Sequence, residues 1–301
     1  HEGEFSSYIP IMNGCNNFCS YCIVPYVRGR EVSRDVESIV EEVKFLDSKG
    51  VKEITLLGQN VNSYHSEYQG KEVGFPELLE IITTYMKNIL WVRFESPHPK
   101  DFSSRLISVI RDNPKVAKHI HLPMQSGSSR ILKLMNRHTT REAFIELLDR
   151  MRSEIKDLTF STDVIVGFPS ETEEEYFETL SMMEIMGCTE AFMYYFNPRE
   201  GTRAYDMEGQ LDEKTKVKRL ERLINEQLER QKRIKTSELP FEAQGIVTTI
   251  SRDDKDRYLV RTEHNEYVSI VPLTPHEIGD VVKVRAEELN GNTFRGVEIE
   301  E

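Results

Sequence analysis

Three of the four cysteines in this 301-residue chain, Cys15, Cys19 and Cys22, fall within a span of eight residues. The segment reads Gly14-Cys15-Asn16-Asn17-Phe18-Cys19-Ser20-Tyr21-Cys22, a CxxxCxxC spacing. Thiolates are the usual ligands of iron–sulfur clusters, and a cubane has four irons. Three neighbouring thiolates therefore leave one iron without a protein ligand. Such a position is available to a cofactor or substrate, just as an open coordination position marks a catalytic zinc. A structural zinc wants four ligands. The remaining cysteine, Cys188, follows Met186-Gly187 at the end of a helical stretch, where a lone cysteine reads as a small buried apolar side chain. Clustered cysteines in a chain without an export signal point to metal or redox chemistry rather than to disulfides.

The elements that must hold this cluster follow from periodicity. Strands are expected at Tyr8–Met12, Glu53–Leu57, Trp91–Phe94, His119–Leu122, Thr159–Val166 and Ala191–Tyr195, from their lengths and their β-branched and aromatic content. Helices are expected between them, over Asp35–Ser48, Phe75–Lys87, Asp101–Asp112, Arg130–Met135, Arg141–Glu154, Glu171–Met186 and Asp212–Lys235. Six strand–helix units in series mean a parallel sheet with helices outside it. The pattern fits either an open doubly wound sheet or a partial barrel. Both place the site at the carboxyl ends of the strands, and the cysteines directly follow the first strand. After Pro240 the pattern changes to five short strands with Asn290-Gly291 as a hairpin turn, which suggests a small OB-like barrel. The expected division is residues 1–238 and 239–301.

Composition sets the outer limits. Apolar residues make up 38% of the chain and charged residues 30%, with a net charge of −12. A soluble, cytoplasmic protein is expected, with no apolar run of membrane-spanning length and no leader at His1–Ser7. The acidic balance argues against a general nucleic-acid footprint. Local basic stretches exist all the same, from Lys214 to Lys235 and at Arg130, Lys133, Arg137 and Arg141.

The cysteine segment, with Tyr21 before the last cysteine, resembles the radical-SAM signature. Its continuation, Ile23-Val24-Pro25-Tyr26-Val27-Arg28-Gly29-Arg30-Glu31, is similar to the methylthiotransferases, closest to the tRNA-modifying MiaB type. So are Leu56-Leu57-Gly58-Gln59-Asn60-Val61-Asn62-Ser63-Tyr64, Ser96-Pro97-His98-Pro99, His121-Leu122-Pro123-Met124-Gln125-Ser126-Gly127-Ser128, Met135-Asn136-Arg137 and Asp163-Val164-Ile165-Val166-Gly167-Phe168-Pro169-Ser170-Glu171-Thr172. These motifs span about residues 8–205. The run Arg199-Glu200-Gly201-Thr202 departs from the family's usual Arg-Pro-Gly-Thr.

The resemblance implies a six-unit (β/α) partial barrel of radical-SAM type followed by a TRAM barrel. It implies a 4Fe–4S cluster on Cys15, Cys19 and Cys22, with S-adenosylmethionine on the open iron. Gly58, Gln59, Asn60, Gln125, Ser126, Ser128, Gly167 and Phe168 are the expected cofactor contacts; no catalytic residue is assigned. The TRAM resemblance rests on Arg261-Thr262-Glu263-His264-Asn265-Glu266-Tyr267-Val268 and Gly279-Asp280-Val281. It makes Arg252, Arg257 and Arg261 candidates for RNA phosphate contacts, together with Lys214 to Lys235.

The implied activity is addition of a 2-methylthio group to N6-isopentenyl-adenosine beside the anticodon of tRNA. Other members act on threonylcarbamoyl-adenosine or on a ribosomal-protein aspartate. A zinc-containing RNA-binding module is the reading from a different class. An electron donor such as flavodoxin or ferredoxin is implied, and a monomer is expected. Family members also carry an N-terminal domain with three cysteines for a second cluster, and that domain is absent from this sequence.

Overall fold

The computed structural model describes residues 5–250 and 256–300. Six strands form the first part: β1 (Ser6–Pro10), β2 (Glu53–Leu57), β3 (Trp91–Phe94), β4 (His119–His121), β5 (Thr159–Val166) and β6 (Glu190–Tyr195). All pairings among them are parallel, in the orders β1-β2-β3 and β4-β5-β6. The two halves join just before β4. There Val92 bridges Val116, the Val92 N–H donates to Lys115 O at 2.8 Å, and the Ala117 N–H donates to Val92 O at 3.1 Å. Among the described residues, strands β1 and β6 each have one neighbour, so the sheet is an open arc.

Burial separates the arc's two faces and decides between the two architectures. Ile54, Leu56, Val92, Phe94, Ile120, Phe160, Val164 and Val166 share one buried core with the apolar stripes of the helices. Those helices are α2 (Val36–Ser48), α3 (Phe75–Thr83), α4 (Ser104–Asp112), α6 (Arg141–Glu154) and α7 (Glu173–Met186). The alternate residues Glu53, Thr55, Arg93, His121, Ser161 and Asp163 lie on the opposite face. A doubly wound sheet is covered by helices on both faces and reads as continuously apolar. Here one face is apolar and packed against helices, while the other carries charged and polar side chains among exposed rings, which makes the arc a partial (β/α)6 barrel whose inner face is its lumen.

Two short helices, α1 (Val24–Arg28) and α5 (Ser129–Leu134), flank the cysteine loop, and α8 (Glu213–Glu238) packs outside β6. Local signals start the helices where they begin. Asp35, Thr140, Thr172 and Asp212 each accept an N-terminal backbone N–H, and Gly187 takes the left-handed turn that ends α7. The long expected helix at Phe75–Lys87 stops at Thr83. Beyond it the backbone N–H groups of Lys87, Asn88 and Ile89 all donate to Asp47 Oδ1, which holds this stretch out of helical conformation.

The last strands, β7 (Phe241–Ile250), β8 (Tyr258–Thr262), β9 (Tyr267–Val271), β10 (Val281–Asn290) and β11 (Thr293–Ile299), close into a barrel in the order β7-β8-β9-β11-β10. The Asn290-Gly291 turn joins β10 to β11, with Asn290 opposite Thr293. This barrel seals the amino-terminal ends of the arc. Glu53 Oε2 takes Arg93 Nε at 2.6 Å and Glu53 Oε1 takes Arg261, while Arg93 also donates to Thr262 O and Glu263 O. Thr159 Oγ1 donates to His264 O, and Trp91, Ala117 and Ile246 form an apolar contact beside them. No helix among the described residues is long and apolar enough to cross a membrane.

Candidate cluster and nucleotide site

At the opposite, carboxyl-terminal end, β1 leads through Ile11 into the cysteine loop. A two-residue ribbon, Met12–Asn13 against Val32–Ser33, closes the base of the loop. Gly14 has φ +79°, and a Cβ there would lie 2.1 Å from Arg30 O, so only glycine lets the two ends meet. Asn16 and Glu31 bond to each other through backbone and side chain, and the Arg30 guanidinium lies over the Phe18 ring. The family-like Gly29-Arg30-Glu31 run is thus the clasp of the loop.

The inner side of the loop rests on α5 and the turn after it. Ser20 N and Oγ donate to Met135 O and Leu134 O, and Asn136 Nδ2 donates to Asn17 O and Phe18 O. Arg137 lies nearest the cysteines. Its Nη1 is 3.7 Å from Cys19 Sγ, its Nη2 donates to Pro123 O, and it is 6% exposed. Burial raises the Cys15 and Cys22 thiols above the usual range. Such thiols become thiolates when a metal centre supplies positive charge.

All three cysteines line one cavity of about 330 Å³, with Asn17, Tyr21, Gly58, Gln59, His98, Gln125, Arg137 and Asp163. Four buried polar atoms among the residues around it have no partner: Gln59 Oε1, His98 Nε2, Gln125 Oε1 and Arg137 Nε. Buried groups of this kind are almost always satisfied, so their grouping here marks a chamber built for a polar guest. His98 is pushed down to about 2 by burial and then by Arg137 and Lys100, which leaves a neutral ring. Asn62 holds that segment in place through a reciprocal bond with the His98 backbone.

The residues singled out in the sequence divide into two groups. Gly58, Gln59 and Gln125 line the cavity. Asn60 is buried behind it, donating to Asp101, with its Oδ1 unpartnered. Ser126 and Ser128 turn away, bonding to Thr179 and Glu175 of α7, so they shape the turn that presents Gln125. Gly167 has φ +70°, and a Cβ there would lie 2.5 Å from Lys216 Cγ; its N–H donates to Glu171. Phe168 sits in a small core with Ile131, Met135 and Phe196. Arg137, Asp163 and Tyr21 line the cavity without having been assigned a role from sequence.

Cys188 is fully buried at the start of β6, at the other end of the strands, with Gln227 donating to its backbone oxygen and sulfur. Burial pushes its thiol up to about 12. It is no fourth ligand for the loop. Among the described residues no three His, Cys, Asp or Glu side chains converge on a single ion.

The RNA candidates are mostly engaged within the protein. Arg261 holds Glu53, and Arg257 donates to Ser269 and to Gly296 O. Arg252 lies outside the described residues. In α8, Lys216, Arg219, Arg230 and Lys235 are buried against the fold, while Lys214, Lys218 and Lys232 are exposed.

Comparison with known proteins agrees with this geometry. The Radical SAM superfamily profile matches residues 9–183. The tRNA-2-methylthio-N(6)-dimethylallyladenosine synthases of Treponema pallidum and Bacteroides fragilis are 42% and 47% identical over 100% and 98% of this chain. The chain belongs to the radical SAM superfamily, in its methylthiotransferase branch. It spans 67% and 65% of the length of those two relatives. The fold is shared with the coproporphyrinogen III oxidase of Escherichia coli, at a TM-score of 0.52 and 12% identity over 94% of this chain and 66% of that one. It is shared also with the radical S-adenosylmethionine methyltransferase TsrM of Kitasatospora setae, at 0.53 and 17% over 66% and 38%. For a radical SAM protein the cavity beside Cys15, Cys19 and Cys22 has the required chemistry: three thiols, unsatisfied amide oxygens and a buried cation.

Proposed function

We propose that this chain is the radical-generating core of a tRNA methylthiotransferase that modifies N6-isopentenyl-adenosine beside the anticodon. The observation that carries the reading is the cavity where three cysteines meet unpartnered Gln59, Gln125 and His98 atoms, in a chain 42–47% identical to the two synthases. A 4Fe–4S cluster on Cys15, Cys19 and Cys22, with S-adenosylmethionine, would supply one-electron cleavage to a 5′-deoxyadenosyl radical, and a second S-adenosylmethionine the methyl group.

The chain's own residues do the positioning. Gln59 and Gln125 offer amide groups to the cofactor's polar atoms. Gly58 lines the cavity with its backbone, since a Cβ there would lie 2.5 Å from Met12 Cγ, and neutral His98 presents a free Nε2. Asp163 and Arg199 lie where the adjoining cavity widens toward solvent.

The remaining third of the relatives' length is the place for a second cluster that carries the sulfur. An electron carrier of flavodoxin or ferredoxin type serves as reductant, and the enzyme acts as a monomer in the cytoplasm. A loop base in tRNA is already single-stranded or easily splayed, so bringing it to the pocket costs little. The division of labour follows residues 1–238 for radical chemistry and 239–301 for RNA. Mass spectrometry of tRNA from cells lacking the gene for this chain tests the reading. Loss of 2-methylthio-adenosine with isopentenyl-adenosine accumulating is expected; an unchanged 2-methylthio content would sink it.

A further inference from the structure

The lumen of the arc carries rings that the cofactor site does not use. Strand register fixes which residues share its inner face. Phe192 pairs with Asp163 and Tyr194 with Ile165, while His121 and Glu190 both pair with Ser161. On the far edge Tyr8 pairs with Thr55, which pairs with Arg93. The inner face of the two edge strands thus bears three large exposed rings: Tyr8 (65% exposed), Phe192 (43%) and Tyr194 (55%). Large rings left open to water on a concave face mark a binding surface.

Their neighbours are polar and acidic. His121 Nε2 lies 3.2 Å from Asp163 Oδ2, and the His121 ring meets the Phe192 ring edge-on at 5.8 Å. Glu95 is close enough for its charge to interact with His121 and Asp163, and burial raises its carboxyl above the usual range. A cavity of about 510 Å³ joins Tyr194 and Asp163 to Cys22 and Gln125, with exposed Arg199 at its rim. The surface is therefore aromatic with an acidic floor. It repels a phosphate and suits a flat, uncharged ring with hydrogen-bonding groups on its edge. The cation at the mouth suits a backbone phosphate left outside.

We propose that this inner face is the chamber for a single extruded adenine of the RNA substrate, which stacks on Phe192 and Tyr194 and presents its Watson–Crick edge to Asp163 and Glu95. In that pose the exocyclic N6–H donates to the Asp163 carboxylate, and the base lies beside the cavity that holds the cysteines. The proposal rests on the tRNA reading above. It adds the residues that seat the base.

The test uses the full chain and a synthetic RNA hairpin carrying 8-vinyladenine, a fluorescent analogue that keeps the N6 amino group and the Watson–Crick edge, at the loop position of the substrate adenine. Fluorescence of the base analogue and Kd are the two readouts. The parent chain should bind and quench it. Phe192→Ala and Tyr194→Ala should each lose the quench and bind about 5- to 100-fold more weakly, the range that loss of one base–aromatic stack gives. Tyr194→Trp should keep both signals, and Phe45→Ala, an exposed ring on the outer face of α2, should behave as the parent. If an alanine variant fails to fold, Tyr194→Leu, which keeps bulk without a π face, replaces it under the same criteria. Folded alanine variants that bind and quench like the parent overturn the chamber. A parent chain that binds no hairpin at all overturns the tRNA reading itself, and the chamber's occupant with it.

Discussion

Arg137 has an unusual environment for a guanidinium. It is buried, its hydrogen bonds reach a thiol and a carbonyl, and its Nε has no partner. An uncompensated buried charge is costly, so the site is built for an anion, and a thiolate-ligated cluster is one. Net charge and hydrogen bonds to sulfur set cluster potentials. Arg137→Gln should therefore give a cluster with a more negative midpoint potential, while Arg137→Lys keeps most of the parent value. An EPR-monitored redox titration checks this; equal potentials in all three proteins would contradict it. The cysteines were legible in the sequence because their spacing is local. The role of Arg137 was not, although its motif was noted, because its partner Cys19 lies 118 positions away in the chain.

At the scale of elements, the cysteine loop depends on the Gly14–Arg30 approach. A methyl group at position 14 would sit 2.1 Å from a backbone oxygen that cannot move without opening the clasp. Gly14→Ala should keep the helical far-ultraviolet signal and lose at least half of the cluster content on reconstitution, read as iron per chain. Full iron loading would show that the clasp is dispensable. Strand positions were readable to within a residue or two because the strands are short runs rich in β-branched and aromatic residues between clear helical stretches. The α1 turn and the ribbons His65–Tyr68 with Lys71–Gly74 were not read. They are short, and their pairing comes from the surrounding loop rather than from a strong local pattern.

For the whole molecule, the β-barrel is a lid on the end of the arc away from the cysteines. Glu53 is the pivot, with Arg93 and Arg261 on one buried carboxylate. Removing one member of a buried set typically costs about 3–5 kcal/mol. Glu53→Ala should therefore lower the melting temperature markedly and speed proteolytic release of residues after Glu238. A melting curve that matches the parent's would contradict this role. The charge of Arg261 looked available for RNA in the sequence because the acid that claims it is 208 positions away. The exposed Lys214, Lys218 and Lys232 remain on the outer face of α8.

The central claim is that Cys15, Cys19 and Cys22 hold a cluster with one iron free for S-adenosylmethionine. Anaerobic reconstitution followed by EPR of the dithionite-reduced protein, with and without S-adenosylmethionine, tests it most directly. The expected result is about four iron and four sulfide per chain, with a reduced-cluster signal that changes when S-adenosylmethionine is added and is absent from Cys19→Ala. A colourless protein that holds zinc, or a cluster signal indifferent to S-adenosylmethionine, would contradict it.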